Sequence, residues 1–553
     1  MATSDSLQGP VANVSRFLDR MSEKRGDHTA LMAPRGRTRS GEIDYLSLSF
    51  DELRRERDAW ADRMNVGGVE RGMRVLLMAR PGLPLIAVCF ALFKMGAVPI
   101  VIDPGMGLRS FLSCVQRSRP VALVGISLAI WVSRIFPAAF RSVAHRIRLG
   151  GPLARAPRTT GTVHFEGAST ESKDLAAILF TSGSTGPAKG VCYEHGMFEA
   201  QVEAIKRQYQ IEEGEVDLPM LPIFALFNPA LGMTTVIPEI NPSKPATVDP
   251  SKIVQAIKQC EVTNSFGSPV LWKKIGTFCQ ANGVTLPSIK RILMAGASAP
   301  PHLMRDFEKI LPRGLVHSPY GSTEILPVSS IDENQVLEET AELTEHGRGT
   351  CVGKPLPGVE ARILAISDEP LEASALEKAL PQGEVGEIVV SGPSVTREYD
   401  NLPEATRKAK IEVGGRIWHR MGDLGYLDEK GRLWFCGRLA ERVQIGERIY
   451  FTDCCEGVFN ALPQVFRSAL VSLNRKGVKV PCIAIQPIEG AFPTTRSERK
   501  RFLQGLKAAA AITEMTSDIR EFVFRKTFPV DVRHNAKINR LELARLVNRE
   551  IAS

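Results

Sequence analysis

The sequence predicts an α/β protein in which helices cover both faces of largely parallel β-sheets. Short apolar runs at 74–78 and 98–102 flank a helical stretch at 83–95, and the same alternation recurs downstream. Such alternation is typical of βαβ units, whose strands are buried on both faces. A change of pattern after Gly437 predicts a second, smaller α+β domain.

Two domains are also expected from the length of the chain, because 553 residues exceed what one hydrophobic core usually organises. Strand-like and helical runs follow Gly437 at 469–472, 483–485, 500–511 and 539–551. We therefore predict a large N-terminal domain of layered α/β subdomains over 1–437 and a small, mobile C-terminal domain over 438–553. The stretch 368–382 resembles a tolerated loop insertion.

The composition excludes disordered, fibrous and membrane-channel proteins, because 44% hydrophobic, 24% charged and 7% aromatic residues are close to the globular average. The net charge of +9 is spread along the chain without a basic stripe that contains aromatic residues, which argues against nucleic acid as a partner. A mildly positive surface favours anionic nucleotides or lipid headgroups instead. The most apolar stretch, 83–102, contains Lys94, Gly96 and Pro99, so it predicts a buried helix and strand rather than a membrane span.

The ten cysteines show no paired spacing of the kind that binds metals, since Cys454 and Cys455 are adjacent and the others are far apart. They are expected to be reduced and buried, as in cytosolic proteins. The first residues lack the basic and apolar regions of a secretory signal. We therefore expect a cytoplasmic protein and leave peripheral contact with a membrane open.

Three predicted strands end in loops of glycine and hydroxyl residues. The strand at 176–180 leads into TSGSTGPAKG at 181–190, the strand at 291–294 into AGASA at 295–299, and the strand at 315–317 into YGSTE at 320–324. Ligands bind beyond the carboxyl ends of strands in open α/β sheets. We therefore predict one cleft that the three loops share.

The first of these loops can bind phosphate oxygens, because its glycines allow close approach and its N–H groups and hydroxyls donate hydrogen bonds. The residues predicted to do so are Thr181, Ser182, Gly183, Ser184, Thr185, Gly186 and Lys189. It differs from the common loop of nucleotide triphosphatases, since Gly190 rather than serine or threonine follows Lys189.

The string TSGSTGPAKG resembles the signature loop of the adenylate-forming superfamily, which contains acyl-CoA synthetases, luciferases and adenylation domains of peptide synthetases. Later signatures of that superfamily follow in order: YGSTE at 320–324, MGDLGYLDEKG at 421–431, GR at 437–438 and Lys537 in RHNAKINR. The resemblance covers nearly the whole chain. It implies a C-terminal lid, ATP as a substrate and Mg²⁺ as a cofactor.

The resemblance also implies roles for single residues. Contacts with the nucleotide would come from the residues of the first loop together with Gly296, Ala297, Ser298, Tyr320, Gly321, Thr323, Asp423 and Arg438. Tyr320 would stack on adenine, Asp423 would accept hydrogen bonds from the ribose hydroxyls, and Thr323 would meet the carboxylate or the α-phosphate. The catalytic residues would be Lys537, Thr323, Glu324 and Lys189. Glu324, with Thr181, would hold Mg²⁺, which prefers oxygen ligands.

Lys537 is the residue that the resemblance places at the reacting phosphorus. Attack of a carboxylate on the α-phosphorus develops negative charge, which a cation stabilises. One charge pair at ~4 Å contributes roughly 4 kcal/mol at an effective dielectric constant of about 20. The glycine that the superfamily has before this lysine is Ala536 here.

Three departures from the acyl-CoA synthetases concern the thioester half of their reaction. Ala225 stands where most of them have histidine, and Ala440 stands at the hinge position usually held by Asp or Lys. The segment 443–449 is about one residue shorter than the form that lines the pantetheine tunnel. Coenzyme A is therefore not expected as a substrate.

A narrower resemblance agrees with these departures. The strings DLPMLPIFALFNPALGMTTVIPEINPSKPA, GRLWFCGR and FPVDVRHNAKINRLELA are similar to the β-lactone synthetases of bacterial olefin biosynthesis. That family implies activation of a long-chain 2-alkyl-3-hydroxy acid as acyl-AMP, followed by attack of the substrate's own hydroxyl. It also implies assembly with thiolase-like, α/β-hydrolase and reductase enzymes of the same pathway.

Several points of this hypothesis stay open at the level of sequence. The runs 224–233 and 266–271 could form either an acyl pocket or ordinary core. His195, His317 and His419 are candidates for the base that deprotonates the hydroxyl, and none stands out. A fatty acyl-CoA or fatty acyl-AMP ligase is the nearest alternative. An inactive nucleotide-binding scaffold is a second, although it predicts loss of residues that are present.

Overall fold

The computed structural model describes residues 12–156, 164–181, 187–241, 247–475, 477–530 and 538–552. The helices are α1 Arg16–Arg25, α2 Phe50–Val66, α3 Leu83–Met95, α4 Leu108–Ser118, α5 Ser127–Ile135, α6 His195–Tyr209, α7 Asn228–Leu231, α8 Pro250–Gln259, α9 Pro269–Ala281, α10 Pro301–Glu308, α11 Glu333–Gln335, α12 Ala341–Glu345, α13 Pro403–Ala409, α14 Thr452–Asn460, α15 Arg496–Ala510 and α16 Arg540–Ala552.

The strands form two large sheets and two small ones. They are β1 Thr29–Arg37, β2 Ile43–Ser49, β3 Arg74–Met78, β4 Val98–Val101, β5 Ala122–Ile126, β6 His145–Leu149, β7 Leu175–Thr181, β8 Lys189–Glu194, β9 Val216–Asp217, β10 Thr234–Val236, β11 Asn264–Gly267, β12 Arg291–Met294, β13 Leu315–Ser322, β14 Ile325–Asp332, β15 Thr350–Pro355, β16 Glu360–Leu364, β17 Gly386–Ser391, β18 Lys410–Val413, β19 Arg416–Leu427, β20 Leu433–Arg438, β21 Val443–Ile445, β22 Arg448–Tyr450, β23 Val465–Arg475, β24 Val478–Pro487 and β25 Glu521–Phe524.

The predicted α/β fold class is confirmed in the first large sheet, whose order is β6-β5-β3-β4-β7-β8. All its pairs are parallel except β7 with β8. Helix α3 connects β3 to β4, as the apolar pattern predicts, and nearly every residue of it is buried. A helix that is apolar on all sides is stable only inside the protein. Its single charged residue, Lys94, is paired with Asp58 at 3.2 Å.

The second large sheet corrects the expectation of largely parallel strands. Its order is β16-β17-β19-β20-β15-β14-β13-β12-β11-β9-β10-β1-β2 with β18 on β19. The pairs from β10 through β13 are parallel, whereas those from β13 through β20 to β16 are antiparallel. The antiparallel part was not predicted, because its strands alternate polar and apolar residues between short turns without intervening long helices.

The residues after 443 build the predicted α+β arrangement. The expected strands at 469–472 and 483–485 lie inside β23 and β24, which form a three-stranded sheet with β25. Residues of α14, α15 and α16 pack on this sheet in two apolar clusters. The stretch 368–382 is more than a loose insertion, because it contains a 3₁₀ turn at Ala373–Lys378 whose Leu376 is buried beside Trp418.

The cysteines and apolar helices agree with an ordinary buried core. All ten cysteines are free, and every one except Cys260 is buried. Within the described ranges, no helix combines the length and the apolar character that crossing a membrane requires.

Candidate active site

The turn between β13 and β14 presents Glu324 between the two large sheets. The sequence suggested a strand ending near His317, but β13 continues through Ser322 because it pairs with β14, with Tyr320 opposite Ser329. Glu324 lies in the tight turn that follows. Its Oε1 accepts a hydrogen bond of 2.7 Å from the hydroxyl of Tyr399, and its backbone carbonyl accepts one of 2.9 Å from the N–H of Thr396.

Two lysines share the surroundings of Glu324. The Nζ of Lys189 lies 4.7 Å from the centre of the Tyr399 ring, and that of Lys410 lies 5.9 Å from it. Lys410 Nζ also donates a hydrogen bond of 3.1 Å to Thr396 Oγ1. Lys410 was missed at the sequence level, because a lysine at the end of the charged run EATRKAK looks like a solvated surface residue. Its pairing with His419 across β18 and β19 turns it inward instead.

The electrostatics of this group favour an ionised Glu324. Burial alone would raise the pKa of Glu324, but the hydrogen bond from Tyr399 and the charge of Lys410 lower it. Burial lowers the pKa of Lys410 to about 7, and Lys189 adds to this effect while Glu324 opposes it. Burial also lowers the pKa of His419 to about 3, so this imidazole is neutral at pH 7. A partly buried carboxylate that stays ionised is suited to hold a cation.

Asp423, Tyr320 and Arg438 meet at a second polar group beside the same hairpin. The hydroxyl of Tyr320 donates a hydrogen bond of 2.6 Å to Asp423 Oδ2. An Arg438 guanidinium nitrogen lies 2.8 Å from Asp423 Oδ1. Asp423 and Arg438 are directly opposite each other on β19 and β20. Three residues to which the resemblance assigned nucleotide contacts therefore form one group, in which Tyr320 and Arg438 both contact Asp423.

The three loops that were predicted to share one cleft come from both large sheets. The loop after β7 belongs to the first sheet, and the loops after β12 and β13 belong to the second. Tyr193 on β8 donates a hydrogen bond to the backbone carbonyl of Thr323. Lys189 closes the β7–β8 hairpin opposite Thr181. Residues 182–186 lie outside the described residues.

The predicted adenine-binding turn lies on the second sheet. Gly296, Ala297 and Ser298 follow β12, which is parallel to β13 with Leu293 opposite His317. The turn and Tyr320 with Gly321 are therefore at the same edge of this sheet. Gly296 has φ +90°, a conformation that favours glycine.

Lys537 lies outside the described residues, but both ends of the segment that carries it are fixed. Val530 and Ile538 form a β-bridge. Arg540, which begins α16, donates hydrogen bonds of 2.8 and 2.6 Å to Glu456 and one of 2.7 Å to Glu441. Arg540 was not singled out from the sequence, yet it ties the chain that follows Lys537 to the segment that follows Arg438.

An apolar cavity that is partly open to solvent lies beside the hairpin. Its walls are formed by residues that include Tyr209, Phe224, Phe227, Leu231, Phe266 and Leu293, and Pro319 and Leu326 line it next to the hairpin. The rings of Phe224 and Phe266 are stacked with centroids 3.6 Å apart. The run 224–233 thus lines a cavity, whereas of 266–271 Phe266 lines it and Leu271 packs in a core cluster.

The cavity contains a buried polar group that the sequence did not suggest. Asp217 accepts hydrogen bonds from the side-chain amides of Asn228, at 2.8 Å, and of Asn264. Burial raises the pKa of Asp217 to about 6 although both bonds oppose this. The register places Asn264 level with Leu315 on the neighbouring strands, so this polar group lies deeper than Pro319.

The three candidate histidines occupy different places. His419 is buried beside Glu324 and Lys410, as described above. His317 packs edge-on against Tyr209, with ring centroids 5.4 Å apart, and burial lowers its pKa to about 4. His195 begins α6 and is 1% exposed, and its Nδ1 accepts a hydrogen bond of 3.4 Å from the N–H of Val14. His195 is therefore a buried packing residue.

His195 should instead make folding sensitive to acid. Burial lowers its pKa from 6.5 to about 4, so below pH 6.5 the unfolded chain binds a proton that the folded protein excludes. Stability is consequently lost as the pH falls from 6.5 towards 4. Between pH 6.5 and about pH 5, urea unfolding should show the wild-type protein losing ~2 kcal/mol more than His195→Gln, whose amide oxygen can accept the Val14 bond. Equal losses would contradict this assignment.

Comparisons with known proteins agree with this geometry. The family model described as "AMP-binding enzyme" matches residues 18–400. Two curated relatives named olefin beta-lactone synthetase, from Xanthomonas campestris pv. campestris and Stenotrophomonas maltophilia, are each 40% identical; the alignments cover 97% and 96% of this chain and 97% of each relative. The solved amide bond synthetase McbA from Marinactinospora thermotolerans has the same fold, with a TM-score of 0.76 and 22% identity over 97% of this chain and 99% of that one. The chain therefore belongs to the AMP-binding enzyme family.

Proposed function

We propose that this protein converts a long-chain 2-alkyl-3-hydroxy acid into a β-lactone at the expense of ATP. The acid is first joined to AMP with release of pyrophosphate, and the ring then closes with release of AMP. The observation that carries the proposal is the apolar cavity lined by Pro319 and Leu326, which belong to the hairpin that carries Tyr320 and Glu324, with alanine at position 225. The name of the two relatives supports the same reaction.

The proposed nucleotide site uses the two polar groups at the hairpin. Asp423, oriented by Arg438, would accept hydrogen bonds from the ribose hydroxyls. Tyr320 would lie against adenine together with the turn of Gly296, Ala297 and Ser298. Thr181, Ser182, Gly183, Ser184, Thr185, Gly186 and Lys189 are proposed to surround the phosphates, with Thr323 at the α-phosphate.

Glu324 fits a role in holding Mg²⁺. Its carboxylate stays ionised because its pKa is lowered, and Tyr399 fixes its orientation. No group of three or more acidic, histidine or cysteine ligands occurs among the described residues. A site of one or two carboxylate or hydroxyl ligands completed by substrate phosphates is typical of Mg²⁺. We propose Glu324, with Thr181, as these ligands; the ion would neutralise phosphate charge when bound.

Lys537 is proposed to stabilise the transition state of adenylation from a C-terminal lid over 438–553. The carboxylate oxygen of the acid attacks the α-phosphorus, and the bond to pyrophosphate breaks. Arg540, through Glu456 and Glu441, would hold the segment of Lys537 in a fixed relation to the residues next to the hinge. Lid rotation about Arg438 would then bring the lysine to the phosphates.

Ring closure needs no second substrate. The oxygen of the 3-hydroxyl attacks the acyl carbon, the bond from that carbon to the phosphate oxygen breaks, and AMP leaves while the hydroxyl proton is released. An intramolecular nucleophile held in place has a very high effective concentration. Neither a catalytic histidine at 225 nor a pantetheine tunnel is required, which accounts for Ala225 and for the short hairpin β21–β22 after Ala440.

The reaction can be tested with purified protein, ATP, Mg²⁺ and a 2-alkyl-3-hydroxy acid. We expect AMP and β-lactone in equal amounts without coenzyme A. An acid that lacks the 3-hydroxyl should stop at the acyl-adenylate, whereas a fatty acyl-CoA ligase would release its thioester once coenzyme A is added. Product that forms only when coenzyme A or a carrier protein is present would contradict the proposal.

The walls of the cavity should determine which acyl chains are accepted. Phe227→Ala removes a ring that lines it, so the ratio of kcat/KM for a longer acid to that for a shorter acid should rise about tenfold. Phe278→Ala is a matched control, because Phe278 packs against a different core cluster. An unchanged ratio in Phe227→Ala would show that the acyl chain binds elsewhere.

The resemblance to the β-lactone synthetases of olefin biosynthesis also suggests pathway partners. We propose that the enzyme assembles with thiolase-like, α/β-hydrolase and reductase enzymes in the cytoplasm. Affinity purification of the chromosomally tagged protein should recover them, and recovery of the protein alone under gentle conditions would contradict an assembly.

A further inference from the structure

Helix α5 carries an exposed apolar stripe. Leu128 and Trp131 are each 61% exposed and Ile135 is 45% exposed. Residues three and four positions apart on a helix share one side, so the three form a single ridge, which we call the α5 stripe. The opposite side of the helix is buried through Ala129 and Ser133. Other large exposed apolar residues, such as Val66, Val478 and Ile512, belong to different elements.

The charged residues in the sequence around the α5 stripe are all positive. Residues 104–165 contain nine arginines, no lysine and no aspartate or glutamate. Nine positive charges in this segment equal the net charge of the whole chain, +9. The net positive charge of the protein is therefore concentrated around α4, α5 and β6, which corrects the expectation that it is spread along the chain.

Several of these arginines are exposed next to the stripe. Arg134 lies on α5, Arg141 follows it, and Arg148 lies on β6, the edge strand against which α5 packs. In the part of the chain that the structure describes, none of the three has an acidic group within ion-pair distance. Their charges are therefore available to an anionic partner.

We infer that the α5 stripe and its arginines form a docking surface for an anionic lipid bilayer. A short helix with tryptophan and aliphatic side chains on one side and basic residues beside them is suited to lie in the headgroup region. Each basic residue near such a surface strengthens binding about fivefold. A protein partner would need an acidic surface opposite a large one-signed patch, whereas anionic headgroups supply that charge without further specificity.

The position of the docking surface suits an enzyme whose substrates are amphiphilic acids. Helix α5 starts at the carboxyl end of β5, and the phosphate-binding loop starts at the carboxyl end of β7 in the same sheet. Two strands separate β5 from β7, so the two starting points are about 14 Å apart along the sheet. The docking surface goes beyond the proposed function. It rests on that function only for its benefit, which is to bring the active site close to a membrane that holds the amphiphilic substrate.

The test is sedimentation of the full-length protein with vesicles. Vesicles of phosphatidylglycerol and phosphatidylcholine in equal parts should bind it at low salt, and binding should weaken as salt is added. Vesicles of phosphatidylcholine alone should bind it at least tenfold more weakly. Leu128→Ser/Trp131→Ser should lose most of the binding, and Arg134→Gln/Arg141→Gln should reduce it roughly 25-fold.

Matched controls separate docking from folding and from catalysis. Val478→Ser/Ile512→Ser and Lys500→Gln/Arg501→Gln remove equally exposed apolar and basic residues from other surfaces and should bind like the wild type. Sedimentation measures binding without turnover, so its outcome is independent of the proposed reaction. In a separate assay, all variants should keep wild-type lactone formation on detergent-dispersed substrate. No binding of wild type to anionic vesicles, or equal binding by the α5 stripe variant, would overturn the inference and leave a protein as the occupant.

Discussion

Glu324→Gln is expected to lower the rate of acyl-adenylate formation by roughly a hundredfold to a thousandfold, the usual cost of removing one preorganised electrostatic contact. Glutamine keeps the volume and can still accept the Tyr399 hydrogen bond. It removes the negative charge that would hold Mg²⁺ and that compensates the buried Lys410. The measurement is the rate of pyrophosphate release as a function of Mg²⁺ concentration, and added Mg²⁺ should restore part of the activity.

A second buried acid provides the control for that substitution. Glu333 is buried and lies at the far end of β14 from Glu324, with its pKa raised by burial to about 7. Glu333→Gln should leave pyrophosphate release and its Mg²⁺ dependence unchanged. Wild-type rates in Glu324→Gln, or a loss that is the same at every Mg²⁺ concentration, would show that Glu324 does not act through the ion.

Lys537→Ala is expected to slow acyl-adenylate formation about a thousandfold, because one charge pair at the α-phosphorus contributes roughly 4 kcal/mol to the transition state. ATP binding should be nearly unchanged, since the proposed contact strengthens as charge develops. Single-turnover formation of acyl-AMP and equilibrium binding of ATP measure the two effects separately.

The control for Lys537 is a lysine of the same small unit. Lys500 is exposed on α15, and Lys500→Ala should adenylate at the wild-type rate. A loss of ATP affinity in Lys537→Ala as large as its loss of rate would mean that the lysine only binds. Arg540→Gln should reduce the rate less than Lys537→Ala, because Arg540 holds the segment without touching the phosphates.

The elements that the sequence predicted well are those in which one local pattern suffices. Helix α3 is apolar on all sides, so its sequence alone predicts that it is buried inside the protein. The resemblance assigned nucleotide contacts to Tyr320, Asp423 and Arg438, and the contacts of Tyr320 and Arg438 with Asp423 are observed in the structure. The proposed roles of Lys537 and of the loop from Thr181 to Gly186 stay predictions from the motifs.

What could not be predicted depends on pairing between distant segments. The continuation of β13 to Ser322 requires β14, and a Gly-Ser sequence alone suggests a loop. Lys410 is directed to Glu324 by the pairing of β18 with β19. Asp217 acquires its amide partners from α7 and β11. Such side chains carry no local signal, because their environment is created by strand order and register.

The central claim is that the carboxyl group is activated as an adenylate and that the substrate's own hydroxyl closes the ring. Oxygen labelling tests both steps in one product analysis. With heavy oxygen in the carboxylate, the account predicts one labelled oxygen in AMP and one in the lactone carbonyl. With the label in the 3-hydroxyl, it predicts a labelled ring oxygen and unlabelled AMP. AMP without label from the labelled carboxylate, or a lactone without the hydroxyl label, would contradict it.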